Sequence, residues 1–286
     1  MNNLPLPDES LIVGCGDIGL RVASRLRADG RRIIAFARNE TRAIELREQQ
    51  ITAVVHDLDA PSAQVLDASL IFYFAPPPAQ GTTDPRLRRF LRDIPTTCRI
   101  VYISTSGVYG DCDGRWIDEC EPLKPISDRA HRRLDAERAL AEWGGDAVIL
   151  RVPGIYGPGR LPVERLQKQL PVVRAEESPY TNRIHCDDLA NAALHAAAFG
   201  RRGQAYNISD GHPTTMCDYF TRCASLLGLP SPPQIALSEA QRVFTPAMWS
   251  FMEESKRLKI DRLRDELHFV PHYPTLSEGL PSCLPD

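Results

Sequence analysis

Three glycines form the group of residues whose spacing points most directly to chemistry. Gly14, Gly16 and Gly19 follow an apolar run in the spacing G-x-G-x-x-G. In that spacing the first glycine permits a tight turn, the second lets the backbone approach a pyrophosphate, and the third lets a helix pack closely on a strand. The helix that follows offers free N–H groups and partial positive charge to the phosphates. The stretch therefore predicts a dinucleotide site that also includes Asp17 and Ile18.

The residues about 20 positions beyond such glycines choose between the two nicotinamide dinucleotides. An acidic side chain there accepts a hydrogen bond from the adenosine ribose and disfavours a 2′-phosphate. This sequence instead has Arg38, with Arg42 one helical turn later. Because a guanidinium forks onto phosphate oxygens, we expect NADP as the cofactor and keep NAD as the alternative.

Two further loops are expected to line the same ligand. Asp57 and Leu58 follow a predicted strand at 51–56, and Ala75, Pro76 and Pro77 follow another at 70–74. Ligands of open parallel sheets bind beyond the carboxyl ends of the strands. We therefore predict that the first loop lies beside the adenine and that the second contacts the cofactor as a rigid wall.

The elements that must position these residues alternate along the chain. Strand-like apolar runs at 33–36 and 99–103 continue the series, and helical patterns separate the strands. One helix is predicted at 85–91, where Asp84 is a cap residue and Pro85 occupies the first turn. The alternation predicts the α/β class: a Rossmann doubly wound parallel sheet with a smaller C-terminal substrate lobe.

Composition excludes several classes of protein. The chain has 286 residues, a net charge of −3 and a pI of about 6.2, which argues against a nucleic-acid binder. It has neither an apolar run long enough to span a membrane nor an apolar N-terminal signal core. The 8 cysteines contain no C-x-x-C pair, so we expect no metal site and no disulfide framework. We expect a cytoplasmic protein.

Several motifs resemble one family. The fifth strand ends in a Ser/Thr-rich turn and Val-Tyr-Gly at 104–110, which resembles the extended short-chain dehydrogenase/reductases, the nucleotide-sugar epimerase/dehydratase group. Further segments resemble that family almost to the end of the chain, at 122–137, 150–159, 183–190, 205–210, 255–257 and 273–280. The resemblance implies a nicotinamide dinucleotide, a nucleotide-sugar substrate and oxidoreductase or isomerase chemistry.

The main departure from the family is the absence of its Tyr-x-x-x-Lys pair. Aligning the segment 125–127 places Arg129 at the tyrosine position and Arg133 at the lysine position. In the family the tyrosine moves a proton and the lysine holds the nicotinamide ribose. A guanidinium cannot replace the tyrosine as acid or base, because its pKa lies above about 12. We predict that Arg129 holds a substrate anion or oxyanion and that Arg133 steadies the cofactor ribose.

The resemblance also assigns residues to the substrate. Thr105 stands where the family has the Ser or Thr that hydrogen-bonds the reacting oxygen, so we predict it as catalytic. Ser106 and Tyr109, in the same turn, are predicted to contact substrate. Three arginines lie in or beside loops that approach the substrate diphosphate in the family, and they favour an anionic substrate: Arg151, Arg160 and Arg183. The alternative for each arginine is a solvated surface side chain.

The family pattern divides the chain and suggests an assembly. It predicts a cofactor-binding Rossmann domain at 8–150 and 183–211, and a substrate lobe at 151–182 and 212–286. Helices are predicted in that lobe at 217–227 and 256–267. The family commonly forms homodimers through two helices beside the site, here 85–91 and 128–143. The first is basic, so repulsion across a two-fold axis opposes pairing, unless acids such as Asp135 and Glu137 offset it.

Three interpretations of function follow. The chain is an NAD(P)-dependent epimerase, dehydratase or reductase with non-standard acid/base groups, or a catalytically inactive NADP(H)-binding sensor, or a structural subunit. The intact glycine turn disfavours the last. The retained Ser/Thr turn and substrate loops favour an enzyme that acts on a small molecule, and we adopt that interpretation.

Overall fold

The computed structural model describes residues 4–60 and 68–284. The strands in these ranges are β1 Glu9–Val13, β2 Arg32–Ala37, β3 Thr52–Val55, β4 Leu70–Tyr73, β5 Arg99–Thr105, β6 Trp116–Ile117, β7 Asp146–Val152, β8 Gly154–Tyr156, β9 Val172–Val173, β10 Tyr180–Thr181, β11 Arg183–His185, β12 Ala205–Asn207, β13 Thr214–Thr215, β14 Gln234–Ile235 and β15 Arg257–Leu258. The helices are α1 Asp17–Ala28, α2 Glu40–Glu48, α3 Pro85–Phe90, α4 Asp128–Trp143, α5 Val163–Gln167, α6 Cys186–Phe199, α7 Met216–Leu226, α8 Leu237–Val243, α9 Pro246–Trp249, α10 Asp261–Asp265 and α11 Leu276–Gly279.

Seven strands form the central sheet in the order β12-β7-β5-β4-β1-β2-β3. Every neighbouring pair is parallel. The chain runs outward from β1 in one direction through β2 and β3, then crosses to β4 on the other side. At such a reversal the loops diverge and leave a crevice beyond the carboxyl ends of the strands. The predicted α/β doubly wound sheet is confirmed.

Helices cover both faces of the sheet, because each has an apolar stripe. α1 buries Val22, Ala23 and Leu26 together with residues of α6 on one face. α3 and α4 bury Leu87 and Leu140 on the other. The cap predicted at Asp84 is confirmed: its side chain accepts the Leu87 N–H at 3.1 Å. The helix predicted at 128–143 is present over those residues.

A separate apolar cluster forms the smaller lobe. It is built from α5, α7, α8, α11 and short strand pairs, with Tyr156, Phe220 and Leu276 among its buried members. The helix predicted at 256–267 is wrong over its first half. Arg257 and Leu258 instead form β15, which pairs in parallel with β6, and the Leu258 N–H donates to Asn182 Oδ1 at 2.8 Å. These hydrogen bonds hold the backbone extended where local sequence favours a helix.

The lobe and the main core share residues late in the chain. Leu263, Leu267 and Phe269 pack with the α1 and α6 side of the sheet, although the sequence places 212–286 in the substrate lobe. Across residues 4–60 and 68–284, every helix is too short or too polar to cross a membrane.

Candidate functional site

Each glycine of the turn between β1 and α1 has its own steric reason. Gly14 has φ +88°, and a Cβ there would lie 2.3 Å from the Ala75 backbone nitrogen. A Cβ on Gly19 would lie 3.0 Å from the Gly14 carbonyl oxygen, so close helix–strand packing requires glycine there. Gly16 faces open space at the helix N-terminus, and its N-cap position carries no side-chain hydrogen bond. The turn thus leaves room and N–H donors for an anion.

Charged side chains surround this turn. Asp17 accepts hydrogen bonds from Arg21 at 2.9 Å and from Arg160 at 2.6 Å, which lower its pKa against the opposing effect of burial. Arg160, predicted to bind substrate, therefore reaches from its loop to the first turn of α1. Arg42 Nη2 donates to the Cys15 carbonyl at 2.7 Å, so it braces the glycine turn itself.

The carboxyl end of β2 leads into the predicted selector residue. Arg38 is 74% exposed and its nearest charged partner is Asp59, at 3.8 Å. Asp59 is already held by Arg86, and the Asp59 N–H donates to Asp57. The Leu58 carbonyl accepts from Arg89 Nη1. Arg38 therefore keeps its guanidinium exposed at the strand end, and the predicted 57–58 loop stands beside it.

A cavity of about 380 Å³ lies beyond the carboxyl ends of β4, β5 and β7. The loop after β4 contributes Pro76 and Pro77, and α4 contributes Arg133. Ala75 is buried against Gly14 at the base of that loop. Arg133 Nη1 donates to the Tyr102 hydroxyl at 3.0 Å and to the Ile103 carbonyl at 2.7 Å. The predicted cofactor loop after β4 and Arg133 therefore share one wall.

A second cavity of about 340 Å³ adjoins the first toward the smaller lobe. Thr105, Arg129, Pro153 and Ile155 line both cavities, so the two are continuous in space. The second cavity brings together three of the five predicted substrate residues: Ser106, Arg160 and Arg183. Its wall also contains Phe251, Glu254 and Lys256, which were not predicted from the sequence.

Two arginines in this wall have no carboxylate partner among the described residues. Arg183 stacks 4.0 Å above the Tyr219 ring, its Nη2 contacts the Met216 sulfur at 3.3 Å, and its Nε is buried without a partner. Arg129 lies 4.5 Å from the centre of the Phe251 ring. Burial lowers the pKa of both guanidiniums. A bound anion would offset the cost of burying these charges.

Arg151 and Tyr109 do not line either cavity. Arg151 is buried and forks onto Glu137, with its Nη2 at 2.9 Å from Oε2. The Tyr109 hydroxyl accepts from Arg151 and donates to Asn207 Oδ1 at 2.7 Å. Both side chains have all their partners within the protein. Neither side chain therefore reaches the cavities in which we predicted contact with substrate. β7 directs Arg151 toward Glu137 on α4 instead.

The Ser/Thr turn combines a structural and a chemical position. The Gly107 N–H donates to Thr105 Oγ1 at 3.2 Å, which caps a short 3₁₀ helix at 106–109. The same side chain lines both cavities, and its O–H remains free to donate to a ligand. Ser106 follows it in the wall of the second cavity.

One group among the described residues has potential metal ligands, namely His185, Cys186 and Asp187. Their other contacts disfavour a metal there. His185 Nδ1 accepts the Asp187 N–H, and the Asp187 carboxylate pairs with Arg21 and Arg25. Burial raises the pKa of the Cys186 thiol to about 11, which disfavours the thiolate that a metal needs.

Comparisons with known proteins agree with this geometry. Residues 86–209 match the NAD dependent epimerase/dehydratase family, and residues 10–69 match the TrkA-N domain. The resemblance drawn from the sequence motifs is therefore confirmed at the level of this family.

Individual relatives are distant. The human (Homo sapiens) dTDP-D-glucose 4,6-dehydratase is 25% identical over 122 residues, a match that covers 38% of this chain and 35% of that protein. The match therefore spans about a third of the length of such curated relatives.

Two solved structures extend the similarity to the whole fold. A conserved protein of unknown function from Silicibacter pomeroyi DSS is 28% identical, with a TM-score of 0.81 over 96% of this chain and 97% of that one. A dTDP-glucose 4,6-dehydratase from Streptomyces venezuelae, with NAD bound, is 20% identical, with a TM-score of 0.76 over 96% and 95% of the two chains. The second likeness concerns the fold alone.

Phe251, Glu254 and Lys256 in the wall of the second cavity could not be predicted from the sequence. They come from the segment between α9 and β15, far along the chain from the Ser/Thr turn. The one signal in the sequence was the resemblance of 255–257 to the family's C-terminal segment, and that resemblance assigns no site residue. Their position depends on how the smaller lobe folds back, which no local pattern encodes.

Proposed function

We propose that this protein is an NAD(P)-dependent enzyme of the epimerase/dehydratase type that acts on an anionic, nucleotide-linked sugar. The observation that carries the proposal is the pair of arginines without carboxylate partners, Arg129 and Arg183, in the wall of a cavity that adjoins the cofactor crevice. A substrate with negative charge would satisfy both guanidiniums and offset their desolvation.

The chain's own residues fit a nicotinamide dinucleotide. The space in front of Gly16 and the free N–H groups of α1 suit its pyrophosphate. Pro76 and Arg133 then stand at the nicotinamide end, where Arg133 holds ribose hydroxyls. The nicotinamide supplies the acceptor or donor of a hydride when it is bound.

The choice of NADP rests on Arg38. Its guanidinium is exposed at the end of β2, and its one ion pair, with Asp59, is long at 3.8 Å. A 2′-phosphate would meet this guanidinium with stronger, charge-assisted hydrogen bonds. NAD would leave Arg38 in solvent.

The reacting end of the substrate lies between Thr105 and Arg129, which line both cavities. Thr105 donates its hydroxyl proton in a hydrogen bond to the reacting oxygen. Arg129 stabilises negative charge that develops on that oxygen. Neither group exchanges a proton near neutral pH, so the acid/base lies elsewhere.

Relatives that are named for nucleotide sugars support the substrate class. One matched curated protein is a dTDP-D-glucose 4,6-dehydratase, and similar folds include a UDP-glucose 4-epimerase from Thermotoga maritima. The diphosphate of such a ligand would place negative charge beside Arg183, which has no carboxylate partner among the described residues.

Calorimetric titration of UDP-glucose into NADPH-saturated protein tests the proposal. Wild type should bind this probe, and Arg183→Gln should weaken binding by about 10- to 100-fold, the range for a lost charge-assisted hydrogen bond of about 1.5–3 kcal/mol. Arg222→Gln is the matched control. Arg222 lies on α7, pairs with Asp218 and does not line the second cavity. Binding of NADPH without any nucleotide sugar would instead support a sensor.

A further inference from the structure

We infer that Glu254 is the acid/base of this site and that Lys256 positions it, so that a carboxylate from the smaller lobe replaces the family's missing tyrosine. This inference rests on the proposed function. That function requires an acid/base, which neither the Ser/Thr turn nor α4 provides. Four observations carry it.

The first observation is the lining of the substrate cavity. Among the described residues, Glu254 is the one carboxylate in that wall. The arginines there cannot exchange protons near neutral pH, and the Thr105 hydroxyl is neither acidic nor basic enough. Tyr180 lines this cavity and a separate one toward Trp116 and His212, but not the cavity at the nicotinamide end.

The second observation is the state of the carboxylate. The Glu254 side chain is 12% exposed, and its Oε1 is buried without a hydrogen-bond partner among the described residues. Its Oε2 accepts from Lys256 Nζ at 2.6 Å. One oxygen is therefore fixed by the protein, and the other has no partner among the described residues. A buried carboxylate oxygen with no partner is costly, and a substrate hydroxyl that donates to it would remove that cost.

The third observation is how firmly Lys256 is held. Its side chain is 5% exposed, and Nζ donates both to Glu254 and to the Gly110 carbonyl, the latter at 2.7 Å. Gly110 ends the turn that carries Thr105. Lys256 therefore ties the carboxylate to the Ser/Thr turn across the cavity, which makes it a positioning residue.

The fourth observation places Glu254 near the reacting end. Phe251, three residues earlier on the same segment, lies under the Arg129 guanidinium, and Arg129 lines both cavities. Glu254 is also the carboxylate whose charge most favours the protonated form of Arg129. The segment 251–256 thus brings the carboxylate into the same cavity wall as Arg129, which also lines the cavity at the nicotinamide end.

The proton and the hydride leave the substrate by separate routes. When a substrate carbinol is oxidised, its O–H bond breaks and the proton passes to Glu254 Oε1. Its C–H hydrogen leaves with the electron pair of that bond to the nicotinamide, and a carbonyl forms. In the reverse direction Glu254 returns the proton to the oxygen. Thr105 and Arg129 hold that oxygen throughout.

The test compares wild type with Glu254→Gln in the full chain, with UDP-glucose and NADP⁺ or NAD⁺ as probes. Calorimetry measures binding of UDP-glucose. Chromatography of the nucleotide sugar measures turnover, because an epimerase or dehydratase returns the hydride to its substrate and leaves no net change in cofactor absorbance. We expect Glu254→Gln to bind UDP-glucose within about threefold of wild type, while turnover falls by about 10²–10⁴-fold, the usual contribution of acid/base catalysis. The exposed neighbour serves as the control: Glu253→Gln should match wild type in both.

Two readouts separate catalysis from a merely structural role. The pH dependence of the wild-type oxidation rate should be lost in Glu254→Gln. Added formate should partly restore turnover to Glu254→Ala, because it supplies the missing carboxylate. Lys256→Met should shift the pH profile while leaving UDP-glucose binding in place.

Each outcome has a separate meaning. Wild-type rates in Glu254→Gln, or binding and rate lost together without formate rescue, overturn the inference and leave the proposed function standing. Binding of both probes by wild type without turnover also overturns it. Failure of wild type to bind UDP-glucose overturns the proposed function, on which the role of Glu254 depends.

Discussion

At the scale of single residues, the two arginines at the family's tyrosine and lysine positions differ in the hydrogen bonds that hold their side chains. Arg133 is anchored by the Tyr102 hydroxyl and the Ile103 carbonyl. Arg129 stacks on Phe251 and makes no side-chain hydrogen bond within the described residues. Arg133 is therefore a fixed part of the cavity wall, whereas Arg129 is available to a ligand.

Replacing Arg38 by alanine tests cofactor selection. We expect Arg38→Ala to weaken NADPH binding by about 10- to 100-fold, because charge-assisted hydrogen bonds to the 2′-phosphate contribute about 1.5–3 kcal/mol. Binding of NADH should stay unchanged. Fluorescence titration of both dinucleotides measures this, and Arg47→Ala is the control, since Arg47 pairs with Glu40 on the outer side of α2. Equal affinity of wild type for NAD and NADP would contradict selection.

Asp210 predicts a pH dependence of stability. Burial raises the pKa of Asp210 to about 7, and its Oδ2 has no partner among the described residues. The folded state therefore favours the protonated carboxyl, whose contribution is full below the unfolded pKa of about 3.9 and is lost as pH rises through about 7.

Asp210→Asn keeps the shape of the side chain without its charge, so it should remove this pH dependence of stability. Relative to wild type, its unfolding midpoint in urea should rise steadily between pH 4 and pH 7 and then level off. The exposed Asp93→Asn should track wild type throughout. A constant difference between Asp210→Asn and wild type across this range would show that Asp210 does not titrate as described.

At the scale of elements, a buried ion pair joins β7 to α4. Arg151 and Glu137 are 7% and 5% exposed, and the Ser104 hydroxyl donates to the same carboxylate at 2.5 Å. Removing one partner leaves an uncompensated buried charge, which costs about 3–5 kcal/mol. We therefore expect Glu137→Leu to lower the free energy of unfolding by that amount, and the double variant with Arg151→Met to recover much of it.

Urea unfolding of the two single variants and the double variant measures the coupling. Glu164→Ala serves as the control, because Glu164 pairs with Lys168 in solvent. A double variant as unstable as the sum of the single variants would argue that the two side chains act independently.

Local patterns predicted the elements of the sheet and its helices well. The glycine turn, the cap at Asp84 and the helix at 128–143 are each encoded by neighbouring residues. β15 was missed, because its hydrogen bonds go to β6 and Asn182, which are distant in sequence. The partners of Arg151 and Arg160 were missed for the same reason, since spacing along the chain says nothing about a carboxylate on another element.

At the scale of the whole molecule, the basic helix α3 is largely neutralised within its own chain. Arg88 pairs with Asp135 at 2.7 Å and with Glu142 at 2.8 Å, both on α4, and Arg86 pairs with Asp59. Glu137 is committed to Arg151 instead. The repulsion expected across a two-fold axis is therefore reduced, chiefly through Asp135.

We propose a homodimer through α3 and α4 on this basis. Light scattering should give twice the chain mass, and Asp135→Arg should shift the protein to a monomer because it unpairs Arg88 and adds positive charge to the interface. Asp146→Asn, away from these helices, should leave the mass unchanged. A wild-type monomer at working concentration would rule the dimer out.

The proposed chemistry depends on the direction in which a dinucleotide lies along the crevice. Crystals grown with NADPH and UDP-glucose measure this directly, through the difference density of the two ligands. We predict the pyrophosphate before Gly16, the nicotinamide between Pro76 and Arg133, and the sugar between Thr105 and Glu254, with the diphosphate on Arg183. Density for the nicotinamide outside this cavity, or for neither ligand at saturating concentration, would contradict the account.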